Sequence, residues 1–439
     1  MMVKKRNTTS LTRAQALLEA RRCLGCHNAP CVEACPAGVP IPGFIQRISE
    51  DNLAGAAELI YAACPLGHIC GTACPTADLC EGSCVLLPLG EPAVRIGALQ
   101  AYTTQLAPLP SVRKIVSGSP RVAVIGGGPA GLGAAVQLDR LGIETHLYER
   151  QPVFGGQAGR VIPVHHLPQD VVDHDLQRVM SSAITLHSDT QINSDNAPQM
   201  LSEFQAVILT IGQQADPDPG IPGSDSQGVF HALNFLSKAR AAHTREGTIP
   251  LLGSTVVVIG GGNVALDAAA VAKRNGAGRV IVLYRRGMEE MPAWEYEYIE
   301  ACALGVEFRW FSVVDMIIAE NGNVCGVKIG HMHYSSEMKG GRRWVERDSL
   351  KDPTYLDCEA VILALGQASE LDVARALGAN EKDGLVQTQT SRYQTSNPKI
   401  FAAGEIVSGG SSIVGSMASG MKAAREAYAW LEQEGIALG

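Results

Sequence analysis

Long apolar runs are missing from this 439-residue chain, and so is an excess of positive charge. No uninterrupted apolar stretch reaches the ~20 residues that a membrane-spanning helix needs. The opening residues, MMVKKRNTTSLTR, are basic but lack the apolar core of a secretory signal, so the expectation is a cytoplasmic protein off the membrane. The net charge of −8 gives no general attraction to nucleic acid or to an anionic membrane. Aromatic residues are scarce, at 5%. Signatures of side-chain catalysis are missing too. There is no nucleophile elbow, no H-E-x-x-H and no paired-carboxylate constellation, so no catalytic side chain is assigned. After Cys84 there is no C-x-x-C, which a thioredoxin-reductase-like disulfide exchanger needs near its nicotinamide.

Glycine and cysteine are what the chain has in quantity. Of twelve cysteines, nine crowd between Cys23 and Cys84. Cys23, Cys26, Cys31 and Cys35 read C-x2-C-x4-C-x3-C and run into Pro36. Cys64, Cys70, Cys74, Cys80 and Cys84 follow, containing C-x3-C-x5-C-x3-C with Pro75 after Cys74. Thiolates this close on short loops converge on soft metal centres, and a terminal Cys-Pro marks bacterial ferredoxin sites, whose fourth cysteine crosses to the other cluster. The spacing therefore points to two [4Fe–4S] clusters in the first hundred residues. Structural zinc is the competing reading, but the second group has no C-x2-C knuckle. A disulfide framework has only the cysteine count behind it.

Helices are expected over 11–22, with Leu11, Leu17 and Leu18 on its apolar face, and through 41–63, between the cysteine groups. The Pro/Ser-punctuated stretch 107–120 reads as a linker. From Arg121 the pattern is strand, glycine turn, helix, strand. Gly126, Gly128 and Gly131 form G-x-G-x-x-G, with Pro129 and Ala130 opening the helix. The first glycine allows the tight turn, the second lets a pyrophosphate approach, and the third lets helix and strand pack closely. Glu149 ends the second strand, where a carboxylate binds ribose hydroxyls. Gly156 and Gln157, after Gly155, join this candidate dinucleotide site. Gly260, Gly262 and Ala265 repeat the fingerprint as G-x-G-x-x-A, with Asn263 and Val264 between. Here Arg285 and Arg286 stand where the acid would be. Arginine there suits a 2′-phosphate, so the second site is expected to take NADPH. AVILTIG (206–212) and AVILALG (360–366) are near-copies bracketing the second unit. They suggest that this unit is inserted into the first, with both strands as crossovers. The strand IFAAGEI ends at Gly404 and Glu405, and a small-residue helix from about Ile413 can present its N-terminal N–H groups to an anionic reduced flavin. His165 and His166 are read as packing or surface residues, and Cys302, Cys325 and Cys358 as buried small hydrophobes.

The expected fold is α/β: two Rossmann-like dinucleotide-binding domains, the second, NADPH-binding one inserted in the first, behind an α-helical iron–sulfur domain. The expected boundaries are 1–112 for the head, 113–215 and 359–439 for the two parts of the first dinucleotide domain, and 216–358 for the NADPH domain.

Both fingerprints, the matched strands and the FAAGE end make residues 121–439 resemble the two-dinucleotide flavoprotein reductases. RCLGCHNAPCVEACPAGVPIPGF and CGTACPTADLCEGSCVL extend the resemblance to nearly the whole chain. It resembles the glutamate synthase small subunit, and still more the NAD(P)H-oxidising part of dihydropyrimidine dehydrogenase. The resemblance implies FAD at the first fingerprint and NADPH at the second. It implies one cluster on Cys23, Cys26, Cys31 and Cys84, and another on Cys35, Cys74, Cys80 and Gln100, with Cys64 and Cys70 as non-ligands. It implies electron flow from NADPH through FAD and the clusters to a separate, FMN-containing catalytic subunit in a hetero-oligomer. Two features depart from the family: Glu405 replaces its usual aspartate, and the arginine pair differs from the NADH-dependent bacterial enzyme. A glutamate synthase small subunit is the alternative, and a self-contained NADPH-dependent disulfide or quinone reductase is the alternative of another class.

Overall fold

VAVI and AVIL are apolar at every position, which suits strands covered on both faces and hence parallel sheets. The structure, a computed structural model, describes residues 10–109, 118–214, 216–217, 219–244, 249, 252–339, 342–390 and 392–436. Most of the expected linker (110–117), the first nine residues and Gly340–Gly341 lie outside them. Arg121–Ile125 is the centre of a five-stranded parallel sheet. Its order is Ile400–Ala402, Ala206–Leu209, Arg121–Ile125, Glu144–Tyr148, Thr185–His187. Thr255–Ile259 is the centre of a second, ordered Val229–His231, Ala360–Leu363, Thr255–Ile259, Arg279–Leu283, Glu307–Arg309. In each sheet the chain order reverses beside the fingerprint strand. That is the switch point where open α/β sheets leave a ligand crevice at the strands' carboxyl ends.

The near-copies AVILTIG and AVILALG are not paired crossovers. Each lies beside its own fingerprint strand: Val122↔Ala206 to Ile125↔Leu209 in the first sheet, Ala360↔Val256 to Leu363↔Ile259 in the second. Their likeness reflects the same structural task performed twice. The expected boundary at 358 moves accordingly. One compact unit comprises Asp216–Gln367 with Arg160–Val164, and the other Arg6–Gly159, His165–Ala215 and Ala368–Gly439. The head and the first sheet thus share one unit, and the later part of the FAD fold starts at Ala368 rather than 359. Within Asp216–Gln367, an antiparallel layer (Ser312–Glu320, Asn323–Lys339, Arg342–Arg347, Thr354–Asp357) adds Val314, Ile317, Val327 and Ile329 to the core under the second sheet.

In the head, Thr12 and Gln15 close a capping box at the start of Arg13–Ala20. This helix turns Ala16 and Ala20 inward, with Leu11 just before it, and leaves Leu18 66% exposed, contrary to the expected apolar face. The region 41–63 is two helices, Ile41–Ser49 and Leu53–Ala63. Asp51, at φ 61, breaks them, and the Asn52 side chain restarts the second by accepting from Gly55 N–H. Among the described residues no single helix is long and apolar enough to cross a membrane.

The run 151–205 looks irregular in sequence but contains the helix Gln169–Met180. Its Asp175 is fully buried and accepts from Tyr61 Oη at 2.9 Å and Ile69 N at 2.8 Å. Arg140 donates to the carbonyls of Tyr61 and Ala62, and the Arg178 guanidinium stacks 3.7 Å from the Tyr61 ring centroid. These bonds tie the head to the first dinucleotide fold. Asp175→Ala leaves a buried hydroxyl and a buried N–H without their acceptor. It should cost about 2–4 kcal/mol, read as a lowered denaturant midpoint.

Candidate functional site

Four thiols of the head line one apolar-walled cavity: Cys23, Cys26, Cys31 and Cys84, together with Leu24 and Ile45. Burial pushes the Cys31 thiol up to about 11, and the neighbouring Cys23 and Cys84 add to it. Cys23 in turn lies beside Cys26 and Cys84. A half-buried set of thiols without a counter-charge resists ionisation, and a cationic metal core supplies that charge. The chemistry of the donors and the shape of the cavity fit an iron–sulfur cluster. Cys84 is 53 residues or more from the other three in sequence, so its place here is a tertiary fact.

Cys35, Cys74 and Cys80 form a second gathering. Cys80 has Cys74 and Cys35 as charge neighbours, and Cys35 has Cys74 and Cys64. Gln100 is buried on the helix Ile96–Gln105. Its Nε2 donates to the Gly67 carbonyl at 2.8 Å, which leaves the amide oxygen, the atom able to ligate iron, outside that bond. None of the twelve cysteines is in a disulfide. Cys358 is buried as expected, whereas Cys302 is exposed and Cys325 half-buried.

The first fingerprint forms a cradle of backbone. A Cβ on Gly131 would lie 1.8 Å from the Gly126 carbonyl oxygen. Gly156, at φ 54, faces Gly128 so closely that its own Cβ would sit 2.8 Å from the Gly128 Cα. Gly155 N–H donates to Gly127 O, closing this second glycine turn over the first. Pro129 is the first residue of the helix Pro129–Arg140, and the buried Ala130 meets Gly404 and Gly420. Glu149 is 5% exposed; Oε2 accepts from Gly127 N at 2.8 Å and Oε1 from Gln151 N at 2.9 Å. Gln157 donates to Gln213 O. Burial raises the Glu405 carboxyl, while an N–H from Ser411 opposes this. Ser412 caps the helix Ile413–Gln433. Thr210, not singled out in the sequence, donates to the Ile125 and Gly126 carbonyls at 2.9 Å and braces the turn. Its only sequence signal is its position directly after AVIL. Gly131→Ala should drive the helix off the turn and strip the FAD. Yellow protein purified from the variant in wild-type yield would contradict this.

At the second fingerprint, open space surrounds the position of a Cβ on Gly262, the N-cap of Asn263–Arg274, as a pyrophosphate cradle requires. Ala265 is fully buried and Val264 packs on the core. Asn263 does not stand free: its Oδ1 accepts from Trp294 N at 2.9 Å. Arg285 is exposed. Arg286 is half-buried and bonds the Tyr284 side chain, yet its Nε is buried with no partner among the described residues. Such an orphaned cationic donor fits an anionic ligand group. Sequence reading missed Tyr284, whose ring lies where a side chain on Gly261 would be, 2.5 Å away, and whose hydroxyl donates to Glu290 O.

Two dinucleotide cradles behind a thiol-rich head define a pyridine-nucleotide flavoprotein oxidoreductase with an iron–sulfur domain. Comparison with known proteins agrees. Residues 3–109 match the family described as dihydropyrimidine dehydrogenase domain II, 4Fe-4S cluster, and residues 120–429 match pyridine nucleotide-disulphide oxidoreductase. The NAD-dependent dihydropyrimidine dehydrogenase subunit PreT of Salmonella typhimurium is 34% identical, over 97% of this chain and 97% of its own. The glutamate synthase [NADPH] small chain of Escherichia coli is 34% identical, over 95% of this chain and 92% of its own. FprA of Mycobacterium tuberculosis, solved with NADPH, shares the fold at a TM-score of 0.61 and 18% identity, over 72% of this chain and 86% of its own. The chain belongs to the pyridine nucleotide-disulphide oxidoreductase family, in the branch with an iron–sulfur head that includes PreT and the glutamate synthase small chains. It is an NAD(P)H-dependent FAD and iron–sulfur oxidoreductase.

Proposed function

We propose that this chain is an electron-input subunit, taking electrons from NADPH at the second fingerprint and delivering them through FAD and two [4Fe–4S] clusters to a separate catalytic subunit. The observation that carries the reading is the pairing of two redox-cofactor cradles with two thiol gatherings in one chain. When bound, the flavin supplies hydride acceptance and one-electron release, and the clusters supply single-electron steps. The chain's own residues bind and orient. Arg285 and Arg286 hold the 2′-phosphate. The Gly128 and Gly156 backbones cradle the flavin's pyrophosphate, and Glu149 anchors its ribose. Cys23, Cys26, Cys31 and Cys84 hold one cluster; Cys35, Cys74, Cys80 and Gln100 hold the other.

Two full-length relatives are named as a dihydropyrimidine dehydrogenase subunit and a glutamate synthase small chain, which supports a separate partner subunit; that this partner carries FMN is part of the proposal. The expected setting is the reducing cytoplasm, where thiols and clusters survive. The glutamate synthase relative, named for NADPH, supports the second reading of a small subunit of that enzyme. The test is an anaerobic affinity purification from the native host with mass spectrometry. A stoichiometric FMN-containing partner, active only when joined to this chain, is the expected result. A chain that stays alone and reduces a disulfide or a quinone with NADPH would overturn the proposal.

A further inference from the structure

The turn that carries the arginine pair is gripped by the antiparallel layer. Gly287 follows Arg286, and a Cβ on it would lie 2.7 Å from Tyr334 Oη, 3.0 Å from Phe311 Cζ and 3.1 Å from Glu290 Oε2. Three side chains therefore close on one backbone point. Tyr334, on the strand Asn323–Lys339, donates its hydroxyl to the Glu290 carboxylate, whose Oε2 is 2.7 Å away and Oε1 2.9 Å. Phe311 stands edge-on to the Tyr334 ring, with centroids 5.0 Å apart. Its N–H donates to the Arg286 carbonyl at 3.2 Å. Its φ of 52 is a left-handed conformation that a bulky residue keeps only where its surroundings impose it. The Tyr284 hydroxyl closes the turn from within by donating to the Glu290 carbonyl at 2.9 Å.

Glu290 is an acid placed to spoil a phosphate site. Its carboxylate abuts Gly287, next to Arg286, and an ion pair with either arginine would neutralise the charge that a 2′-phosphate needs. Both of its oxygens engage the Tyr334 hydroxyl instead, and Arg286 Nε has no partner among the described residues. Glu289, the neighbouring acid, is exposed to solvent. We infer that Tyr334 is a positioning residue for NADPH: its hydroxyl holds the Glu290 carboxylate against Gly287, out of ion pairing with Arg285 and Arg286, and so leaves their charge to the 2′-phosphate. NADH carries no such phosphate. The hydrogen bond therefore acts on the choice between the two nucleotides and not on nucleotide binding in general.

The inference rests on the reading of Arg285 and Arg286 as the 2′-phosphate site. The experiment is calorimetric titration of the oxidised full chain with NADP+ and with NAD+, with FAD content measured alongside. Tyr334→Phe keeps the ring against Phe311 and removes only the hydroxyl. It should weaken NADP+ binding about 3- to 10-fold, the scale of one hydrogen bond, and leave NAD+ binding unchanged. Glu290→Gln keeps an oxygen to accept from Tyr334 but loses the charge, and should bind NADP+ as tightly as the unaltered chain or more tightly. Tyr334→Phe combined with Glu290→Gln should therefore restore NADP+ binding. Equal weakening of both nucleotides by Tyr334→Phe would overturn the inference, and so would a double variant no better than the single one, since either makes the bond a support of the turn alone. Unchanged NADP+ binding in Tyr334→Phe at full FAD content, or weaker NADP+ binding in Glu290→Gln alone, would contradict it as well. Arg285→Ala with Arg286→Ala is titrated in parallel. Equal loss of NADP+ and NAD+ in that chain would instead refute the underlying phosphate site.

Discussion

Cys31→Ala should remove about four irons per chain and one set of cluster EPR signals, while FAD stays bound at wild-type stoichiometry. Cys31 lines the same cavity as Cys23, Cys26 and Cys84, and its loss leaves one iron of the core without its thiolate, with no other cysteine lining that cavity to replace it. Cys35, Cys74 and Cys80 belong to the other gathering, so the second cluster should persist. Electron delivery to the partner should fall to background, because both clusters lie on the proposed route. Iron and sulfide analysis of anaerobically purified variant checks the first part. Loss of both clusters with FAD retained would mean that the two sites are not separate. Zinc in place of iron in the unaltered chain would defeat the assignment altogether.

The arginine pair carries the second large effect. Arg285→Ala with Arg286→Ala should raise the KM for NADPH by about 10- to 100-fold per lost contact, since a hydrogen bond to a charged group is worth about 1.5–3 kcal/mol. NADH has no 2′-phosphate, so its kinetics should change little. Flavin bleaching measured with both nucleotides is the check. Equal loss for both would show that the pair supports the fold of the 284–290 turn rather than reading the phosphate. The Nε of Arg286, without a partner among the described residues, favours the phosphate.

Local pattern was enough to read the two dinucleotide cradles. Gly126, Gly128, Gly131 and Glu149 meet within one strand–turn–helix–strand unit, and the carboxylate also reaches back to Gly127 N–H, a bond the spacing did not name. The thiol gatherings were only partly legible. C-x2-C-x4-C announces a metal site, but nothing local says that Cys84 joins Cys23 while Cys35 leaves for Cys74; those placements come from the resemblance in sequence and from tertiary packing in the structure. The strand 360–363 shows the same limit. Its composition fits either sheet, and only pairing with Val256–Ile259, about a hundred residues away, decides which. The role of Asp175 has no local signal at all: it stands in a polar run, and Tyr61 and Ile69, more than a hundred residues earlier, satisfy it in the interior. Cys302 misled: an isolated cysteine reads as a small core residue, and this one faces solvent.

The most direct test of the central claim uses the chain in complex with its partner, rapidly mixed with NADPH in the absence of oxygen. Flavin bleaching and reduction of the partner's redox group are followed together in the unaltered complex and in the Cys31→Ala complex. The account predicts that the flavin bleaches at similar rates in both, and that only the unaltered complex passes electrons on. Reduction of the partner at an undiminished rate without that cluster would show that electrons leave the flavin by another route, and the electron-input reading of the head would be wrong.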